Sequence, residues 1–146
     1  MFAPEKKEGV EVISWEKYEE LANKLASSII LNGTPIKNIY GIPRGGMVLA
    51  VSLSHKLGLP VITDEEDIST ETLVCDEISD SGKTMRDFLK RHEGCYTASL
   101  FVDYYTGYYP NAYAATKRAE WLEFPWETEL KLQEDNKSEN GVIETA

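Results

Sequence analysis

The chain has 146 residues, 42% of them hydrophobic, and a formal net charge of −10 from 25 acidic and 15 basic residues. That length and apolar content suit one domain with its own buried core. The acidic excess repels nucleic acid in bulk, and no run approaches the roughly 20 apolar residues of a membrane span. The first ten residues, MFAPEKKEGV, lack the apolar centre of a secretory signal. Cys75 and Cys95 have neither metal-site nor disulfide spacing. The expectation is a reduced, cytoplasmic domain without a nucleic-acid or membrane partner. A local site can still hold a small anion.

In chain order, SWEKYEELANKLASSIILNG predicts a helix. Ser14 caps it, Glu16 suits its first turn, and Trp15, Tyr18, Ala22, Leu25 and Ile29 recur at helical spacing up to Asn32-Gly33. NIYGI is a short, buried strand. GGMVLAVSLSHKLG is helical, with Gly58 as its stop. PVIT and ETLVCDE are strands, Lys83 to His92 is a helix, and TASLFV is a further strand. Repeated alternation of strand and helix predicts an α/β domain, a single parallel sheet with helices on both faces. Ligands of such sheets bind outside the carboxyl ends of the strands. Two loops occupy that position, GIPRGG and DEISDSGKT. The domain is expected over residues 1–127, with 128–146 a polar, acidic and flexible tail.

LVCDEISDSGKT, residues 73–84, ends like a nucleoside-triphosphate loop. That loop needs a glycine five residues before its Gly-Lys pair, and here Glu77 stands there, which excludes a P-loop kinase. What survives is a strand, the acids Asp76 and Glu77, a turn from Ser79 to Gly82, and a helix start. Backbone N–H groups at that start, with the hydroxyls of Ser81 and Thr84, suit one terminal phosphate. The two acids beside it can accept from hydroxyls or reach a divalent cation. A phosphate beside vicinal hydroxyls describes a 5-phosphorylated ribose. A plain strand–turn–helix with incidental acids is the simpler alternative.

LVCDEISDSGKT resembles the phosphoribosyl-pyrophosphate motif of the type I phosphoribosyltransferases, and GIPRGGMVLA resembles their pyrophosphate loop. In that loop glycines let the backbone approach a diphosphate and Arg44 offers a fork to its oxygens. AEWLEFPWE, residues 119–127, and ISWEKYEELANKLA are similar to segments of the xanthine–guanine subgroup, so the resemblance spans about residues 12–127. It implies the fold of that family, with a short hood, and transfer of 5-phosphoribosyl from phosphoribosyl pyrophosphate to N9 of a 6-oxopurine nucleobase.

The resemblance implies Mg²⁺ near Asp76 and Glu77, which also take the ribose hydroxyls. Pyrophosphate goes to Arg44, Gly45 and Gly46, and the phosphate to Ser79, Ser81, Gly82, Lys83 and Thr84. Asp80 stands at the position of the family's acidic residue, which accepts a proton from, or hydrogen-bonds to, the N7 side of the purine. Trp121 stacks on the base and the backbone of Leu122 meets its edge. By similarity, a cis bond falls at Pro43–Arg44, and the protein is a homodimer or larger homo-oligomer. From residue type alone Asp80 also suits a helix N-cap, and Trp121 and Trp126 also suit core packing beside an edge strand.

Two departures bear on the substrate. The family's long basic loop is here the short, acidic TDEEDISTET, with no Lys or Arg between Lys56 and Lys83. The lysine that reads the 6-oxo group, expected just after SLFVD, is missing, and Asp103 is near its place. A carboxylate prefers an amino donor to a keto acceptor. Lys117 can substitute only by approaching from the next loop. Transfer to another base, or a non-catalytic member of the fold that binds a nucleotide as a regulatory ligand, therefore stays open.

Overall fold

The computed structural model describes residues 7–105, 108–117 and 119–127, and the expected tail over 128–146 lies outside them. Ser14 accepts the Lys17 N–H at 3.0 Å and starts helix α1 (Trp15–Asn32). Gly33, at φ 73, closes α1. Tyr18, Ala22, Leu25 and Ile29 are buried as the spacing predicts. Trp15 is not. It sits on the rim, its ring edge-on to Tyr18.

Strand β1 (Lys7–Val12) precedes α1, and β2 (Asn38–Gly41), helix α2 (Gly45–Leu57) and the short β3 (Val61–Ile62) follow it. Then come β4 (Thr72–Ser79), α3 (Lys83–Arg91), β5 (Tyr96–Asp103), β6 (Ala112–Lys117) and β7 (Ala119–Glu123). Five strands form one wholly parallel sheet in the order β3-β2-β4-β5-β6. The pleat sends alternate residues to opposite faces. Ile39, Leu73, Cys75, Ala98 and Leu100 pack with Leu25, Leu49 and Leu53 of α1 and α2. Tyr40 and Val74 pack with Met85 and Phe88 of α3. Helices therefore cover both faces. Each fully buried leucine contributes roughly 1.5–3 kcal/mol of transfer free energy.

β1 and β7 pair in parallel as a separate two-stranded sheet, with Val10 opposite Trp121 and Val12 opposite Glu123. This small unit is the reduced hood. The sequence reading assigned none of β1, β6 and β7. β6 runs parallel to β5, although only residues 104–111 connect them. Asp103 ends opposite Lys117 and Ala112 starts opposite Ala98, a return of about 16 Å at ~3.3 Å per residue.

Among the described residues no helix is long and apolar enough to cross a membrane. The acidic loop between β3 and β4 is tied down. Asp64 caps the single 3₁₀ turn Glu65–Asp67, and Glu65 reaches Arg91 at 3.3 Å and His92 at 3.0 Å. Those partners sit at the end of α3 remote from the loop after β4, so the acidic loop lies away from the carboxyl ends of the central strands.

The hydrogen bond from His92, then that from Arg91, lowers the pKa of Glu65. A carboxyl depressed in the folded state adds stability above its unfolded pKa, roughly 4.3, and loses it as pH falls through the lower folded value. Glu65→Gln is expected to lower stability by about 0.5–1 kcal/mol at neutral pH, the range of exposed ion pairs. Urea titrations should show that deficit shrinking below about pH 4.

Candidate active site

β2 leads outward to β3, and the chain then returns to place β4 on the other side of β2. The switch point of the sheet thus lies between β2 and β4, where a crevice opens at the strand ends. GIPRGG leaves β2 there and DEISDSGKT leaves β4 there, with Gly41 directly opposite Cys75. Topology brings together two segments more than thirty residues apart in sequence.

The first loop is built on close backbone approach. The Pro43–Arg44 peptide is cis. Ile42 N–H donates to Cys75 O at 2.9 Å, stitching the loop to β4, and Gly46 N–H donates back to Ile42 O at 2.9 Å. A Cβ on Gly46 would lie 2.5 Å from Cys75 O, and one on Gly45 would lie 2.2 Å from the Glu77 carboxylate. Both positions demand glycine for space. Arg44 is exposed at the start of α2, with no side-chain bond capping the helix.

The second loop lines a cavity of about 190 Å³ with residues 76–82, Thr84 and Met85. Gly82, at φ 77, is the N-cap of α3, so Asp80 does not cap that helix. The hydroxyl of Ser79 is buried and has no hydrogen-bond partner among the described residues. Ser81 Oγ accepts the Lys83 N–H at 3.2 Å, and the Lys83 ammonium pairs with Asp87 at 2.8 Å, along its own helix.

Asp76 and Glu77 extend past the end of β2. Asp76 Oδ1 accepts the Glu77 N–H at 2.9 Å. Burial, then a hydrogen bond with the Glu77 carboxyl, then its charge, push the Asp76 carboxyl well above the usual range. Burial, then Glu77, also raises Glu127. One carboxylate oxygen of Glu77 is buried and unpartnered among the described residues, and no described Lys or Arg forms an ion pair with Asp76 or Glu77. An acid pair short of positive charge and holding a free buried oxygen fits a divalent cation. No described cluster of three or more His, Cys, Asp or Glu could hold a metal alone, so the remaining ligands must come from substrate and water.

Asp80 is half-exposed at the cavity rim, and Lys117 Nζ approaches its two oxygens at 3.2 and 3.4 Å. The Lys117 side chain is only 6% exposed. It ends β6 opposite Asp103, which is buried and accepts the Tyr105 N–H at 2.8 Å. A buried ammonium therefore stands at the strand ends, supplied from β6 rather than from just after β5. Spacing could not reveal this, because the β5–β6 register exists only in the fold.

Trp121 is 61% exposed and so is no core aromatic. Trp126 does pack, stacked on Phe124 at 4.9 Å and edge-on to Tyr18. The Leu122 side chain is buried in the main core, leaving only its backbone for a ligand. Tyr109 and Tyr113 pack against each other at the sheet edge. Tyr108, from the same tyrosine-rich segment, lies instead on the loop after β4, against Gly82.

No protein-family model matches the chain, and no curated protein matches it. Solved structures do. A purine phosphoribosyltransferase from Pyrococcus horikoshii is 25% identical, with a TM-score of 0.67 over 81% of this chain and 94% of that one. A xanthine–guanine–hypoxanthine phosphoribosyltransferase from Helicobacter pylori is 23% identical, with a TM-score of 0.68 over 87% and 99%. A Neisseria gonorrhoeae protein with bound ppGpp is 20% identical, with a TM-score of 0.69 over 97% and 100%. The chain has the type I phosphoribosyltransferase fold and resembles the xanthine–guanine subgroup of that family.

Proposed function

We propose that the protein is a purine phosphoribosyltransferase that joins N9 of a 6-oxopurine to C1′ of phosphoribosyl pyrophosphate. The carrying observation is the meeting, at one switch point, of a glycine loop shaped for a diphosphate and an acid-bearing loop shaped for a sugar phosphate. Likeness to the Pyrococcus and Helicobacter enzymes supports the reaction class. In the reaction the C1′–O bond breaks, its electron pair leaves with pyrophosphate, and N9 forms the new bond.

Arg44 and the backbone of Gly45 and Gly46 bind the leaving pyrophosphate. Ser79, Ser81, Gly82, Lys83 and Thr84 surround the 5-phosphate, and Asp76 and Glu77 accept from the ribose hydroxyls. Magnesium, when bound, neutralises charge on the leaving group, and Asp76 and Glu77 would hold it with pyrophosphate oxygens and water. Asp80 hydrogen-bonds the N7 side of the base and takes its proton. Lys117 donates to the 6-oxo oxygen. An ammonium has donors and no acceptor, so it selects a keto group over an amino group. Trp121 supplies the stacking face, and the Leu122 backbone meets the base edge. A homodimer or larger homo-oligomer is part of this reading, as is a cytoplasmic setting that keeps Cys75 and Cys95 as free thiols.

Incubation with magnesium, phosphoribosyl pyrophosphate and a panel of bases tests the proposal. Pyrophosphate release is expected with guanine, hypoxanthine or xanthine and not with adenine. Release with adenine alone would overturn the role of Lys117. Trp121→Ala should raise KM for the base about tenfold, as one lost stacking contact does. KM for phosphoribosyl pyrophosphate should hold. An unchanged KM for the base would remove Trp121 from the site.

A second reading, a non-catalytic nucleotide-binding protein, is favoured by one observation. The acidic loop is anchored to Arg91 and His92 and brings no cation to the pyrophosphate. The Neisseria neighbour with bound ppGpp is compatible with it. Tight nucleotide binding without turnover on any base would establish that reading.

A further inference from the structure

The outer side of the phosphate loop carries two residues with no role in the chemistry above, Arg86 and Tyr108. Arg86 Nη2 donates to Ser81 O at 2.6 Å and Nε to Gly82 O at 3.3 Å. The same guanidinium lies over the Tyr108 ring, 5.2 Å from its centroid. That ring in turn presses on Gly82, where an added Cβ would meet its Cγ at 2.4 Å. Gly82, Tyr108 and Arg86 thus form a stack, joining the loop after β4 to the connection between β5 and β6.

Peptide units are planar and trans, so the C=O and N–H of one unit point in opposite directions. With the Ser81 carbonyl held by Arg86 Nη2, the N–H of Gly82 turns the other way, while the Gly82 carbonyl also accepts the Arg86 backbone N–H at 2.9 Å and the Lys83 N–H donates to Ser81 Oγ at 3.2 Å. Ser81 and Gly82 line the cavity. The positive charge matters as well, because a hydrogen bond accepted by a peptide C=O strengthens the N–H of the same unit as a donor. The lysine in the loop does not replace this charge, since Lys83 is paired with Asp87.

From this stack we infer that Arg86 and Tyr108 are positioning residues that hold the Ser81–Gly82 peptide with its N–H toward the cavity. A phosphate monoester then meets a donor already oriented. This chain gains by that, because its anchored acidic loop does not close over the site. The inference rests on the phosphate-binding reading of the loop.

The test is an NMR titration of the ¹⁵N-labelled full chain with inorganic phosphate, following the amides of Gly82, Lys83 and Thr84. Saturable shifts are expected in the wild type. Arg86→Ala and Tyr108→Ala should each weaken phosphate about tenfold, the loss of one charge-assisted contact. Tyr108→Phe, which keeps the ring, should recover most of the affinity lost in Tyr108→Ala. Arg86→Lys, which keeps the charge but not the fork, should recover only part. The double variant should lose little more than either single one, because the pair acts as a unit. In turnover, KM for phosphoribosyl pyrophosphate should rise while KM for the base holds. Unchanged phosphate affinity and amide shifts in Arg86→Ala would overturn the inference, as would a wild type whose amides do not respond. Weakened phosphate binding without turnover on any base would instead sink the transferase reading and leave the positioning role standing.

Discussion

Asp80→Asn is expected to lower kcat by roughly 10²–10⁴-fold, the usual worth of one positioned acid–base group. The amide keeps an oxygen for Lys117 Nζ, now 3.2 Å from the carboxylate, but cannot take a proton. Because the Asp80 side chain is 54% exposed and α3 is capped by Gly82, the variant should still fold, with some loss of thermal stability from the charge removed beside the buried Lys117. A structural role for Asp80 predicts the opposite pattern, lost stability with near-normal turnover. Steady-state kinetics beside a melting curve separate the two. Turnover within a few-fold of wild type in a normally folded variant would remove Asp80 from the chemistry.

The second large effect contrasts two adjacent glycines. Gly46→Ala puts a methyl 2.5 Å from Cys75 O and 3.2 Å from Asp76 Cα. Both atoms belong to the backbone of a buried central strand and cannot yield, so the loop must lift from β4. Overpacking of that kind costs about 3 kcal/mol. A lower urea midpoint and loss of phosphoribosyl pyrophosphate binding are expected together. Gly45→Ala instead meets the Glu77 carboxylate at 2.2 Å, the far end of a flexible side chain. Glu77 can swing aside, so folding should survive while KM for phosphoribosyl pyrophosphate rises. Equal destabilisation by both substitutions would contradict this assignment of the loop.

Much of this was legible in the sequence because it depends on local rules. Ser14 and Gly33 bracket α1 since one offers a capping oxygen and the other a left-handed backbone. NIYGI, ETLVCDE and TASLFV became buried parallel strands, and the acids after LVC fall in the last part of β4, past the end of β2. The cis peptide falls where GIPRGG resembled the family loop. β1, β6 and β7 escaped because none carries a strong apolar alternation. Each is a strand by virtue of its partner, β1 and β7 of each other and β6 of β5.

The site divides along the same line. Residue identity alone marked an acid-bearing loop after β4, a glycine loop after β2 and an aromatic near residue 121, since each is contained in a short segment. The sequence could not decide which cation faces Asp80, because Lys117 lies thirty-seven residues away and reaches it only through the β5–β6 register. Nor could it show Tyr108 on Gly82 or Arg86 behind the loop carbonyls. Local segments carry their own backbone preferences, whereas side chains from separate strands meet only when the sheet fixes their order and register.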